Sequence, residues 1–336
     1  MIGSAIVVRT HAVYTRPVRW VIGAAIATAG CFGTSGGPAP SVDPLGGAEC
    51  PAEHLSLAAR ALSFDADPRI VRFDRELRSC RGLVLRDVNE TLWVVGGTPD
   101  GSELLGFEGR LMRVRDREVI WDLEEVGVAL DLFHASIGGA PHVVVLWGNT
   151  SGFADRLDVR DLQTGSVTKS YDVSSTIVGA APSADRVDRL VLLDQYDGFS
   201  EVHVDLSADA LGGASELEVL APRGVGSAGA IAVGPGRVAI ATDDGILHWT
   251  PETPAMLGPA SCRWPRWTGE TLPEACEHRG VAFDRSAGGD FLTVCHAPDR
   301  TGALVSLDAR DGCAVLLPED LLLDHEITDL AWSGGP

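Results

Sequence analysis

The chain has 336 residues, enough for one large β domain or two smaller ones. Its 39 glycines and 19 prolines favour many turns over long helices. A formal charge of -20 repels phosphate backbones and anionic headgroups, so nucleic-acid partners and electrostatic membrane binding are set aside.

Residues 1–30 carry Arg9, Arg16 and Arg19 and no acidic side chain. An apolar run from Trp20 to Gly30 follows. At about 1.5 Å per residue it falls short of a hydrocarbon core of roughly 30 Å, so residues 1–30 read as an export signal and not a spanning helix. Thr28-Ala29-Gly30-Cys31 resembles a bacterial lipobox, with Thr28 where lipoboxes usually carry Leu. The resemblance implies lipidation of Cys31, so that the protein meets a membrane of the cell envelope or surface through its lipid anchor only. Ordinary signal cleavage, giving a periplasmic or secreted soluble protein, stays open, and Val13 or Val18 is an alternative start. Residues 31–49 comprise this cysteine and a Gly/Pro/Ser stretch without apolar periodicity, read as a flexible tether.

Seven cysteines stand at 31, 50, 80, 262, 276, 295 and 313. With Cys31 lipidated, six remain, an even number that suits three disulfides in an oxidising compartment. Cys50 and Cys80 are isolated from the others and pair best with each other. Cys276 before one strand and Cys295 on the next would come within disulfide range, whereas Cys295 to Cys313 would skip a strand, at about 2 × 4.8 Å. That favours 276–295 with 262–313. No C-x-x-C occurs, which weakens any zinc or thioredoxin-like reading.

Residues 50–336 form the folded domain. From residue 80 a short apolar strand followed by a polar or glycine turn recurs, starting at Gly82, Ala129, Ile177, Ala230, Gly280 and Ile327, at intervals of 47, 48, 53, 50 and 47. Further strand candidates fill each interval: from Thr91, Arg110 and Glu118; from His142, Arg156 and Ser166; from Arg189, Glu201 and Glu216; a hairpin from Arg237 turning at Asp243-Asp244-Gly245; and from Asp290, Ala303 and Cys313. Four strands per unit at this period predict an all-β chain folded as a β-propeller. The last unit has its first strand near the C-terminus, so Pro68–Leu77 and His54–Leu62 would complete it from the other end. Six four-stranded blades result, one closed by N- and C-terminal strands. Seven blades or two β-sandwiches are alternatives, and Leu55, Ala58, Ala59 and Leu62 also fit a helix over 52–62.

By period alone, over about 280 residues, the chain resembles six-bladed propellers of the TolB-like, NHL-type and gluconolactonase-like groups, with no family motif matched. Gluconolactonase-like propellers hold calcium in the central channel. That implies a metal-dependent hydrolase if Asp131 and His134 on one inner strand, with Asp87, Asp284 and Asp329 on others, converge there. The plainer reading of these residues is as solvated groups flanking turns.

Other motifs fail on context. Gly224-Val-Gly226-Ser-Ala-Gly229 matches a dinucleotide fingerprint, but Gly234-Pro235-Gly236 would break the helix that it needs. Gly33-Thr-Ser35-Gly-Gly37 lies in the tether, not on a strand-to-helix elbow. Trp121-Asp122 occurs once, as packing. Asp194-Gln-Tyr-Asp197-Gly198 lacks the acidic residue that closes a calcium loop and reads as a hairpin turn. With no convergent catalytic set, the sequence identifies no cofactor and no catalytic residue, Cys31 being the single site residue. It points to a binding or assembly module for a protein or carbohydrate of the envelope, with a calcium-dependent, lactonase-like hydrolase as the alternative.

Overall fold

The two ends of the domain share one sheet. The computed structural model describes residues 39–63, 66–149, 153–183, 188–194, 199–206, 217–221, 228–242, 245–249, 255–257, 277–283, 291–296, 302–306, 314–316 and 324–334. Among these, the first sheet joins β1 (Ser41–Pro44), β2 (His54–Ala61), β3 (Arg69–Phe73) and β4 (Ser79–Arg86) to β23 (His325–Ser333) in the order β1-β4-β3-β2-β23. Residues 54–61 are thus a strand and not a helix: Leu57 lies opposite both Val71 and Leu330, and neighbours on both sides take up the backbone hydrogen bonds.

The second sheet runs β10-β9-β8-β7-β6-β5, from β5 (Leu92–Gly97), β6 (Glu103–Arg115), β7 (Glu118–Ile137), β8 (Ala140–Gly148), β9 (Ala154–Asp161) and β10 (Val167–Asp172). Three sheets of four antiparallel strands follow in simple succession. They are β11 (Ile177–Pro182), β12 (Arg189–Asp194), β13 (Phe199–Asp205) and β14 (Leu217–Ala221); β15 (Ala228–Gly234), β16 (Arg237–Thr242), β17 (Gly245–Trp249) and β18 (Ala255–Leu257); and β19 (Glu277–Phe283), β20 (Phe291–His296), β21 (Gly302–Ser306) and β22 (Ala314–Leu316).

The six-stranded sheet hides the same unit of four. On a straight strand Ser102 and Arg113 would stand roughly 36 Å apart. Yet Arg113 Nε donates to Ser102 Oγ at 2.8 Å, so β6 turns back on itself at Gly109, where φ is 79°. Its two arms lie alongside, Leu104 clustering with Leu111 while Leu105 and Phe107 cluster with Met112 and Val114. β7 reverses likewise at Gly127 (φ 112°). Trp121 Nε1 donates to the Leu162 carbonyl (3.1 Å), whose own N–H donates to Pro141, the partner of Ser136 fifteen positions beyond Trp121. The sheet is therefore two groups of four.

The cores lie between sheets, as radial stacking requires. Leu55, Leu57 and Phe73 of the closing sheet meet Leu292 and Val294; its Ile70 and Leu83 meet Leu92 and Phe107; Val191 meets Ile231 and Ile240; and Ala239 meets Val281 and Phe291. Because both faces are covered, Val143–Trp147 of β8 is buried without a break. Around the axis β23, β5, β7, β11, β15 and β19 touch in turn, and β19 returns to β23. The fold is a β-propeller.

Two expectations need correction. The run at Gly82 is not an inner strand. It is β4, bonded between β3 and β1 on the outer side of the closing sheet, and the inner strand of the next unit is β5. Its short apolar run could not tell inner from outer, because both pack on neighbouring sheets. Part of the segment read as tether is ordered as well: Ser41–Pro44 pairs with Leu83–Arg86, covering an otherwise open edge.

The Cys50–Cys80 disulfide is present, with Cα atoms 5.1 Å apart. It joins the lead into β2 to β4, within one sheet and not between two. Cys295 lies on β20 opposite His278, and β20 and β22 are separated by β21. Cys31, Cys262, Cys276 and Cys313 lie outside the described residues, as does the export segment.

Candidate functional site

Among the described residues, each of the inner strands β5, β7, β11, β15, β19 and β23 carries one extra residue at the same level of its ladder: Trp93, Leu130, Val178, Gly229, Gly280 and Thr328. Such a bulge re-aims the residue that follows it. The six residues that follow are Val94, Asp131, Gly179, Ala230, Val281 and Asp329, so acids fill two equivalent positions. They behave alike. Asp131 Oδ2 accepts from the N–H of Ala180 on the next inner strand (2.7 Å), and Asp329 Oδ2 accepts from that of Val95 on its next strand (3.0 Å).

Both carboxylates are largely enclosed yet keep some accessible surface. Burial raises Asp131 well above the ordinary carboxylate range, and the Asp329 charge two strands away raises it further against the Ala180 bond. Burial likewise pushes Asp329 up to about 7, opposed by the N–H groups of Val95 and Leu330. Asp329 can hold a proton near neutrality, and both carboxylates tie one inner strand to the next.

The remaining sequence candidates do not join them. Asp87 is exposed in the turn after β4 (φ 58°), on the outer side of the closing sheet, so it is no channel ligand. His134 is on β7 as expected, but three positions from Asp131, which puts the two side chains on opposite faces. Asp284 and Asp197 lie outside the described residues. Among the described residues no three metal-ligating side chains converge. Strand β15 begins at Ala228, inside the Gly224–Gly229 motif, where the dinucleotide reading needs a helix to start, which removes that reading.

One cluster escaped the sequence altogether. Glu103 at the start of β6 is fully buried. It accepts from Arg72 through both oxygens (2.6 and 2.7 Å), from Ser56 Oγ (3.1 Å), and meets His54 Nε2 at 3.0 Å. Burial disfavours its charge, but the His54 hydrogen bond and the Arg72 cation outweigh that and leave its pKa below the ordinary value. His54 and Ser56 are on β2 and Arg72 is on β3, so this carboxylate ties the closing sheet to its neighbour. Its one sequence trace is a set of polar residues inside apolar strands.

No family model matches the chain, and no curated protein matches it. Solved structures do. A protein of unknown function from Bacteroides caccae is 10% identical over 83% of this chain and 98% of its own, with a TM-score of 0.52. The WD40 domain of Neurospora crassa Pan2 is 13% identical over 74% and 69%, with a TM-score of 0.41. BamB from Moraxella catarrhalis is 13% identical over 80% and 84%, with a TM-score of 0.39. At such identities the likeness is one of fold alone.

Proposed function

We propose that the chain is an exported, lipid-anchored propeller of six blades that serves as a binding or assembly module at the cell envelope. One observation supports this most: the ring is closed by pairing β2 with β23, which makes a rigid scaffold whose loops are left to carry contacts. With the lipid on Cys31 and β1 starting at Ser41, ten residue steps of at most about 3.5 Å each hold the start of β1 within roughly 35 Å of the anchored cysteine. Its occupant is a protein or carbohydrate of that envelope.

Two measurements test the reading. Replacing Cys31 by Ser should move the chain from the membrane to the soluble fraction, and unchanged partitioning would overturn the anchor. Crosslinking in intact cells, with mass spectrometry of adducts, should return a discrete envelope partner; adducts no different from those of an unrelated lipoprotein would overturn the binding role. The hydrolase alternative draws on Asp131 and Asp329, which sense each other's charge across two inner strands. It requires stoichiometric calcium binding that Asp131→Asn abolishes.

A further inference from the structure

Outside the ring axis, a cavity of about 540 Å³ opens on the closing sheet, between β1, β3, β4 and the approach to β23. Asp43, Val84 and Arg69 form one cross-strand row in its wall, since Asp43 is opposite Val84 and Val84 opposite Arg69. Asp67, Arg86 and Asp324 complete the charged lining, with little apolar surface between them.

The charges are not evenly matched. Arg86 already has counter-charges: it pairs with Asp43 (3.1 Å) and with Asp67. Arg69, partly buried in the same wall, has no such partner among the described residues, and its Nε is buried without a hydrogen-bond acceptor. A partly buried guanidinium that forms no ion pair of its own, with its Nε enclosed, is unusual in a chain of net charge -20. Its fork of parallel N–H donors fits a carboxylate, and the three aspartates around it can only accept hydrogen bonds when ionised. An occupant must therefore bring one carboxylate and several hydroxyl donors. A phosphate dianion would set about twice a carboxylate's charge against the same three aspartates, and an apolar ligand would strand them all. The volume lies in the usual range for small-ligand sites.

We propose that this cavity binds an acidic sugar, its carboxylate on Arg69 and its ring hydroxyls on Asp67 and Asp324. The proposal deepens the binding-module reading by giving it a ligand class, and it fails separately: a chain with an envelope partner but no sugar affinity refutes the cavity alone.

The test is saturation-transfer NMR on the full chain with D-glucuronate, D-glucose and acetate as probes. Glucuronate should receive saturation from the protein and reach a plateau as its concentration rises. Glucose, lacking the carboxylate, and acetate, lacking the hydroxyls, should each bind at least about tenfold more weakly. Arg69→Gln should abolish the glucuronate signal while the thermal transition is unchanged. Arg69→Lys, which keeps charge and stem, should weaken binding about tenfold without abolishing it, and it decides the matter if the Gln variant does not fold. Equal response to glucuronate and glucose, no response to glucuronate, or undiminished binding in a folded Arg69 variant each overturns the proposal.

Discussion

Asp329, on the last strand of the domain, accepts a hydrogen bond from the backbone N–H of Val95, 234 residues earlier in the chain. Asp131 does the same to Ala180 at the equivalent point of its own strand. Two of the six contacts between inner strands are thus held by a carboxylate behind a bulge, and one of them belongs to the strand that closes the ring.

Burial of the Asp329 carboxylate, which outweighs the opposing hydrogen bonds, makes stability depend on pH in a definite direction. Asp329 sits at about 7 when folded against 3.8 for an ordinary aspartate, so its contribution is complete below about pH 4 and is lost as pH rises through 7. The loss amounts to at most about 4 kcal/mol, and Asp131 adds to it in the same sense. Glu103, held below the ordinary range by His54 and Arg72, acts oppositely and fails only in acid. Denaturant unfolding should therefore give greatest stability at mildly acid pH, declining toward pH 8. Asp329→Asn should flatten that decline. A wild-type chain equally stable across the neutral range would contradict the assignment.

Removing the buried Glu103 carboxylate should be severe. Glu103→Ala leaves Arg72 uncompensated in the interior and should cost about 3–5 kcal/mol, read from the urea midpoint. Combining Glu103→Leu with Arg72→Met should recover most of that loss, because neither charge then remains. A single variant within about 1 kcal/mol of wild type would show that the cluster holds nothing together.

Gly97, at the end of β5, tests the same seam by space instead of charge. A Cβ there would fall on the carbonyl oxygen of Trp332 and crowd the backbone of Ser333. Main chain cannot step aside as a side chain can, so Gly97→Ala should separate β5 from β23 and lose several kcal/mol. Hydrogen exchange should show Ala331–Ser333 losing protection first. Wild-type protection of those amides would contradict this contact.

Much of this architecture was legible in the sequence, for a physical reason. Strands of β11–β13, β15–β17 and β19–β22 are short apolar runs bounded by glycine and polar turns, and these rules are local. Asp131 and Asp329 even share an offset of two residues from the start of their repeats, which is the signal of their equivalence. The strand at Glu103–Phe107 was not legible, nor was β18, three residues long. Glu103 places a charge where a core residue would be expected, and its partners come from β2 and β3, far away in sequence. Pairing between distant segments leaves no periodic trace, so the role of β5 could not be told from that of β4.

The Cys50–Cys80 bridge closes a loop of 30 residues and should contribute about 3–4 kcal/mol by restricting the unfolded chain. Replacing both cysteines by Ser should lower the unfolding free energy by that amount and leave the far-ultraviolet spectrum unchanged. No loss of stability would mean that the loop is already constrained without the bond.

The account rests on the chain's ends meeting in one sheet, where Arg60 of β2 stands opposite Glu326 of β23 and pairs with it. The direct measurement is mild oxidation of the R60C/E326C chain followed by peptide mapping. Cross-strand neighbours lie within disulfide reach, so a closed ring predicts an intramolecular 60–326 link that forms in the folded chain and not in denaturant. Free thiols at both positions in the folded protein, or links between chains only, would contradict closure and the propeller built on it.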